Sequence, residues 1–179
     1  IFEVLVKGSG ADLKYAPDWP AINDIGVELL FKGKSLDIWA NSGRTFDMKI
    51  RKVHARIPDM DRTDVVLELE GDASGPADSM LRFIDQSPVS EIIAGFSKGI
   101  QGTGEGKLNL NLMLPLGRMD LSRVAGDYQL QNVTLNRDAI PPLERLNGKL
   151  YFTDRSISSP GIRGQFLGGQ MVIGAKTEK

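Results

Sequence analysis

Residues 20–36, P-A-I-N-D-I-G-V-E-L-L-F-K-G-K-S-L, decide the fold. Within them Val27, Leu29 and Phe31 alternate with Glu28, Leu30 and Lys32. Period-2 alternation marks a strand with one apolar and one wet face. After Gly33-Lys34, Leu36, Ile38 and Ala40 resume on a single face, so the stretch reads as a hairpin whose Gly supplies the positive φ. Residues 141–157, P-P-L-E-R-L-N-G-K-L-Y-F-T-D-R-S-I, repeat it. Pro20 meets Pro141, Leu29 meets Leu150, Phe31 meets Phe152 and Ser35 meets Ser156. Self-similarity at a fixed offset suggests one structural unit used more than once, and such units stack into extended bodies.

The alternation spreads outward from this hairpin. Phe2, Val4 and Val6 precede it. Phe46, Met48 and Ile50 follow, and the parity then switches to Val53, Ala55 and Ile57. A bulge near Arg51-Lys52 produces such a switch, as does the end of one strand and the start of another. Val65, Leu67 and Leu69 continue, then Leu108, Leu110 and Leu112. Tyr128 and Leu130 give way to Val133 and Leu135 with another parity change. Leu150, Phe152, Phe166 and finally Val172 with Gly174 close the series. Gly71, Gly126, Gly148 and Gly164 read as strand ends or kinks.

From Pro76 to Ile100 the period becomes helical. Met80, Phe83 and Ile84 share one face, as do Ile92, Phe96 and Ile100. Gly75-Pro76 and Ser87-Pro88 are helix starts. The spacing predicts two short helices, over 77–86 and 88–98, after which Gly99, Gly102, Gly104 and Gly106 return the chain to strand. This helical part is too short to cover so many half-buried strands. Two sheets covering each other, or one curved sheet leaving a groove, both satisfy the periodicity.

Composition bounds the rest. The 179 residues carry a net charge of −1, 41% hydrophobic and 25% charged side chains, and no Cys. A balanced charge gives no reason to expect nucleic acid, whose binding rests on neutralising phosphates. Disulfides and thiolate metal sites are excluded. No apolar run reaches the length of a membrane helix. The chain begins at Ile1, already in strand-like sequence, and reads as a piece of something longer.

Catalytic chemistry finds no foothold. His54 is the single histidine and sits opposite Val53 and Ala55, the pattern of an exposed strand residue. Asp59-Met60-Asp61-Arg62-Thr63-Asp64 with Glu70 loosely follows a calcium loop, but Asp64 stands where such a loop needs Gly, so a polar turn fits better. Gly102-Thr103-Gly104-Glu105-Gly106 follows a helix and opens a strand, the reverse of a phosphate loop. Ser42-Gly43 and Ser122 lie outside any nucleophile elbow. No cofactor, metal or enzyme activity is expected.

At this point the chain resembles a known family. Trp19-Pro20, the hairpin to Ala40 and Ser42-Gly43 look like the middle region of YhdP-like proteins, of the AsmA-like superfamily that also holds TamB. So do Gly75, Phe83-Ile84-Asp85-Gln86-Ser87-Pro88-Val89 and Gly104-Glu105-Gly106-Lys107-Leu108-Asn109-Leu110. Leu114-Pro115-Leu116, Gly126-Asp127-Tyr128 and Gly168-Gly169 complete the resemblance. It implies a mainly β fold: an elongated, curved antiparallel sheet, taco- or groove-like, here with a short two-helix insertion. The chain would be a single groove segment of a larger protein, with 1–75 a first β unit, 76–101 the helical insertion and 102–179 a second β unit.

The resemblance also implies function. Such proteins belong to Gram-negative bacteria, are anchored in the inner membrane by one helix, and cross the periplasm. They carry phospholipid between inner and outer membranes and support outer-membrane integrity. The expected partners are phospholipid acyl chains, neighbouring segments of the same chain, and both membranes through parts absent here. The expected lining is Val27, Leu29, Phe31, Leu36, Ile38, Phe46, Met48, Ile50, Val65, Leu67, Leu69, Leu108, Leu110, Leu112, Leu150 and Phe152. Met80, Phe83, Ile84, Ile92 and Phe96 would line or plug a groove end, or simply cap exposed core. The competing reading is a non-conducting scaffold module of an envelope protein with a filled core, joined to neighbours through its sheet edges.

Overall fold

The chain turns at Gly33, whose φ of 58° is one that glycine adopts without strain. This is the hairpin between β2 (Ile22–Lys32) and β3 (Ser35–Thr45). In this computed structural model residues 2–14, 19–87, 89–92, 95 and 97–177 are described, the side chains of 91, 92 and 119 excepted. Around that hairpin lie β1 (Glu3–Leu13), β4 (Met48–Ile57) and β5 (Val66–Pro76). The helix α1 (Ala77–Asp85) follows. Then come β6 (Ile100–Pro115), β7 (Arg123–Arg137), β8 (Ile140–Thr153), β9 (Ile157–Phe166) and β10 (Gly169–Lys176).

Strand order along the sheet is the order in sequence, and every pair is antiparallel. Extensive packing joins only sheet neighbours, and α1 to β5 and β6. The architecture is therefore one open, curved ten-stranded sheet, and among the described residues no second sheet stacks on it. The alternative left open by periodicity, a sandwich, is not formed.

Bulges keep the apolar side chains together. The pairing of β4 with β5 slips between Ile50 and Lys52. One extra residue at that point reverses the alternation, so Met48 and Ile50 share a face with Val53, Ala55 and Ile57. A second slip lies between Leu130 and Val133, where Asn132 has φ 52°. It brings Val133 and Leu135 onto the face of Tyr128 and Leu130.

Four expectations need correction. Among the described residues the insertion holds one helix longer than a single turn, α1. Beyond it a four-residue turn, Val89–Ile92, is helical, and 97–99 are turn. The N-cap is Pro76 itself, at φ −56° and ψ 138°, without a side-chain cap. Pro88 lies outside the described residues. Gly71, Gly126, Gly148 and Gly164 lie inside strands and not at their ends, Gly148 beside the slip in the pairing of β8 with β9. Gly126 sits within β7, and a Cβ there would come 2.6 Å from the Phe152 ring. Its missing side chain is what lets Phe152 lie across the strand. Val172 is 68% exposed on the wet side, because Met171 and Ile173 pair with Gly164 and Ile162 on the apolar side.

The buried core is small and local. Ala77 of α1, Leu130 and Val133 of β7, Leu146 of β8 and Ile162 of β9 form one cluster. Gly102 admits the helix: a Cβ there would press on Leu81 and Ala77.

Candidate functional site: the apolar face of the sheet

In an antiparallel sheet, residues paired across strands point to the same side. One row can therefore be traced across nine strands. It runs Gly8, Val27, Ala40, Val53, Gly71, Leu110, Gly126, Phe152, Ile157. A parallel row runs Val6, Leu29, Ile38, Ala55, Leu69, Leu112, Val124. Through this central span the register assigns the face no Asp, Glu, Lys or Arg. At about 4.8 Å per strand, the first row is about 38 Å long.

The opposite side is largely polar. Glu28, Trp39, His54, Glu70 and Asn111 form the matching row. His54 is not simply an exposed strand residue. It stacks on Trp39 with ring centroids 5.2 Å apart, and its Nε2 lies 2.9 Å from Asp37 Oδ1.

The apolar face is only partly covered. Of the sixteen residues selected from sequence, Met48 alone is buried; the other fifteen are half-buried. Strands of a sandwich would bury such residues against the second sheet. Here Leu110, Leu112, Leu69 and Leu29 touch their sheet neighbours and leave their outer surface uncovered.

Most of the expected lining shares this face. Val27, Leu29, Phe31, Leu36 and Ile38 occupy it on β2 and β3. Met48, Ile50, Leu67 and Leu69 occupy it on β4 and β5. Leu108, Leu110, Leu112, Leu150 and Phe152 do so on β6 and β8. Val65 lies just ahead of β5, where its carbonyl accepts a bond from the Leu116 amide. Phe46 is placed differently from expectation. It sits in the turn between β3 and β4, at φ 52°, beneath the Arg82 guanidinium at 4.4 Å. Val53, Ala55, Leu114, Val124 and Ile157 belong to the face and were not selected. The alternation already marks Val53 and Ala55; the side taken by Leu114, Val124 and Ile157 becomes visible once strands are paired.

The two ends of the strands differ. At one end α1 lies on the apolar side, with Met80, Phe83 and Ile84 half-buried and Phe83 5.9 Å from the Trp19 ring. The side chain of Ile92 and all of Phe96 lie outside the described residues. The Asp47-Met48 backbone also crosses this end: a Cβ on Gly75 would come 2.9 Å from the Asp47 carbonyl. At the other end lie the connections between β2 and β3, β4 and β5, β6 and β7, and β8 and β9, the third holding a 3-10 turn at Met119–Leu121.

One polar atom stands out on the apolar side. The Tyr128 hydroxyl is buried without a hydrogen-bond partner, its ring lying across Gly106. Burial, with the Glu105 charge adding to it, pushes the phenol up to about 12. It stays neutral and the face stays uncharged.

No helix among the described residues is long and apolar enough to cross a membrane. The family model described as YhdP protein matches residues 1–179. The chain is 24% identical over 182 residues to the intermembrane phospholipid transporter YhdP of Escherichia coli (strain K12). That match covers 99% of this chain and 14% of the relative, so the chain spans about a seventh of the relative's length. No solved structure matches it.

Proposed function

Because this chain belongs to the YhdP family, we propose that it is a segment of an intermembrane phospholipid conduit whose apolar face shelters acyl chains. One observation carries the reading: the uncharged row from Gly8 to Ile157 crosses nine strands and remains half-uncovered.

The physics suits a conduit. Exposing an acyl chain to water costs about 0.8 kcal/mol per CH₂, so about 12 kcal/mol for a chain of roughly sixteen carbons. A continuous apolar floor removes most of that barrier. Transport also requires that no single position bind too well. A floor of Val, Leu, Ala, Gly, Phe and Ile offers dispersion contact everywhere and a fixed polar anchor almost nowhere. The apolar half-thickness of a bilayer is about 15 Å, shorter than a row of about 38 Å. A tail therefore fits within this one segment.

In this reading the segment works in the periplasm as part of an inner-membrane-anchored bridge that supports outer-membrane integrity. It passes lipid to neighbouring segments of its own chain, with 1–75 and 102–179 as two β units of one groove. It performs no chemistry; its task is to hold water away. The experiment is solvent extraction of the purified chain followed by mass spectrometry. Co-purified phospholipid is the expected result. Clean protein that also fails to take lipid from vesicles would overturn the reading in favour of a scaffold.

A further inference from the structure

The open rim of the apolar face carries a recurrent charge device. Arg62 meets Asp64 through two bonds of 3.0 Å in the turn between β4 and β5. Arg118 meets Asp120 in the same fork, at 3.0 and 2.9 Å, in the turn between β6 and β7. Both are Arg-x-Asp. The turn between β8 and β9 pairs Arg155 with Asp154 at 3.3 Å.

These pairs contribute little to folding. The Arg62, Asp64, Arg118 and Asp120 side chains are all more than half exposed, and exposed ion pairs are weak in water. Their placement is more telling. Backbone bonds from Met60 to Lys34, from Leu116 to Val65 and from Asp154 to Val124 tie these turns along one rim. Successive turns are two strands apart, so a cation and an anion are presented together about every 10 Å. Leu116 and Leu121, 48% and 46% exposed, flank the Arg118–Asp120 pair. The turn thus offers apolar surface and paired charges side by side, as a lipid does where tail meets head.

We propose that this rim is a headgroup rail, on which the Arg–Asp pairs at 62/64 and 118/120 receive zwitterionic phospholipid headgroups. Arginine holds the phosphate through its fork of donors. The neighbouring aspartate takes the ammonium. Arg155–Asp154 continues the rail. A headgroup of this kind replaces each internal pair with two external ones, so neither charge is stranded. A purely anionic headgroup leaves the aspartate facing a like charge. On the opposite rim α1 and the Phe46 turn border β3 to β6, and the turns at 138–139 and 167–168, which border β7 to β10, hold no Arg–Asp ion pair among the described residues, so the paired charges lie on this side. The inference rests on the proposed lipid-carrying function and adds to it a headgroup class and a location.

The test is competitive loading. The chain is incubated with vesicles of equal phosphatidylethanolamine and phosphatidylglycerol, re-isolated at low salt and extracted for mass spectrometry. Phosphatidylethanolamine is expected to be enriched about threefold, the scale of exposed charge contacts. The quadruple variant R62A/D64A/R118A/D120A is expected to load as much total lipid without enrichment. The exchange variant R62D/D64R/R118D/D120R keeps both charges in each turn and is expected to restore it. Enrichment that survives the alanine variant, or a wild-type preference for phosphatidylglycerol or for neither lipid, would overturn the rail while leaving lipid carriage intact. No loading of either lipid would instead overturn the proposed function, and the rail with it.

Discussion

Asp24 and Arg145 share one backbone conformation, φ 54° and 53°, and each directly precedes a buried apolar residue, Ile25 and Leu146. Residues other than glycine seldom adopt positive φ. Phe46 and Leu167 form a second such couple, at 52° and 51°, in the turns that follow β3 and β9. Both couples lie at the offset that separates Pro20 from Pro141. The repeat is thus one of shape: β2, β3 and β4 are echoed by β8, β9 and β10. In each copy a left-handed residue turns the strand so that the next side chain packs inward.

That packing sets a contrast in stability. Leu146 is 2% exposed in the one buried cluster, whereas Leu29 is half-buried on the open face. Leu146→Ala is expected to cost about 2–4 kcal/mol in urea unfolding, the range for a buried Leu that leaves a cavity. Leu29→Ala is expected to cost about 1 kcal/mol. Equal costs would mean that the open face is packed like a core.

Gly106 and Tyr128 form a second test. A Cβ on Gly106 would come 2.0 Å from the Tyr128 hydroxyl. Gly106→Ala is expected to cost about 1–3 kcal/mol by forcing the ring aside. In a Tyr128→Ala background that cost is expected to fall by more than about 0.5 kcal/mol, the signature of residues in contact. Strict additivity in the double-mutant cycle would contradict the placement of the ring.

The same tyrosine gives a pH dependence. Its phenol is raised from 10.0 to about 12 in the folded chain. The unfolded chain therefore releases this proton first, so stability is intact below pH 10 and falls as pH rises from 10 toward 12. Ultraviolet titration is expected to show one of the three tyrosines ionising last. In Tyr128→Phe that late step disappears, and stability at neutral pH is unchanged or higher, since no hydrogen bond is lost. A late step that persists in Tyr128→Phe would assign it elsewhere.

A charge on the floor tests continuity. Leu110 lies between Gly71 and Gly126 in the long row, so it has room to change without overpacking. Leu110→Asp is expected to stay folded by circular dichroism while retained phospholipid falls at least tenfold, because a carboxylate beside acyl chain is costly to desolvate. Leu69→Asp, one row away, is expected to behave alike. Normal loading by both folded variants would remove these positions from the path.

Much of this was legible before pairing. The switch from Ile50 to Val53 allows a bulge or a strand boundary, and the pairing of β4 with β5 makes it a bulge; the echo of residues 20–36 announces the duplication. What escaped had physical causes. Phe46 alternates in sequence with Met48, yet a left-handed turn carries it off the strand to stack under Arg82. Gly126 reads as a strand end or kink, although its place inside β7 makes room for Phe152. Val172 looked inward because the parity of an edge strand is set by its partner, Gly164 to Met171, and not by its own composition. Above all, alternation reports that one face is dry. It does not report what covers that face, and among the described residues no strand stacks upon β2 to β9.

The most direct measurement is photocrosslinking from neighbouring positions on opposite faces. A diazirine side chain at Leu29 or Leu110 is expected to capture phospholipid from vesicles, and one at Glu28 or Asn111, a single residue away on the wet side, is expected to capture little. Equal capture from both faces, or none from Leu29 and Leu110 in folded protein, would contradict the account.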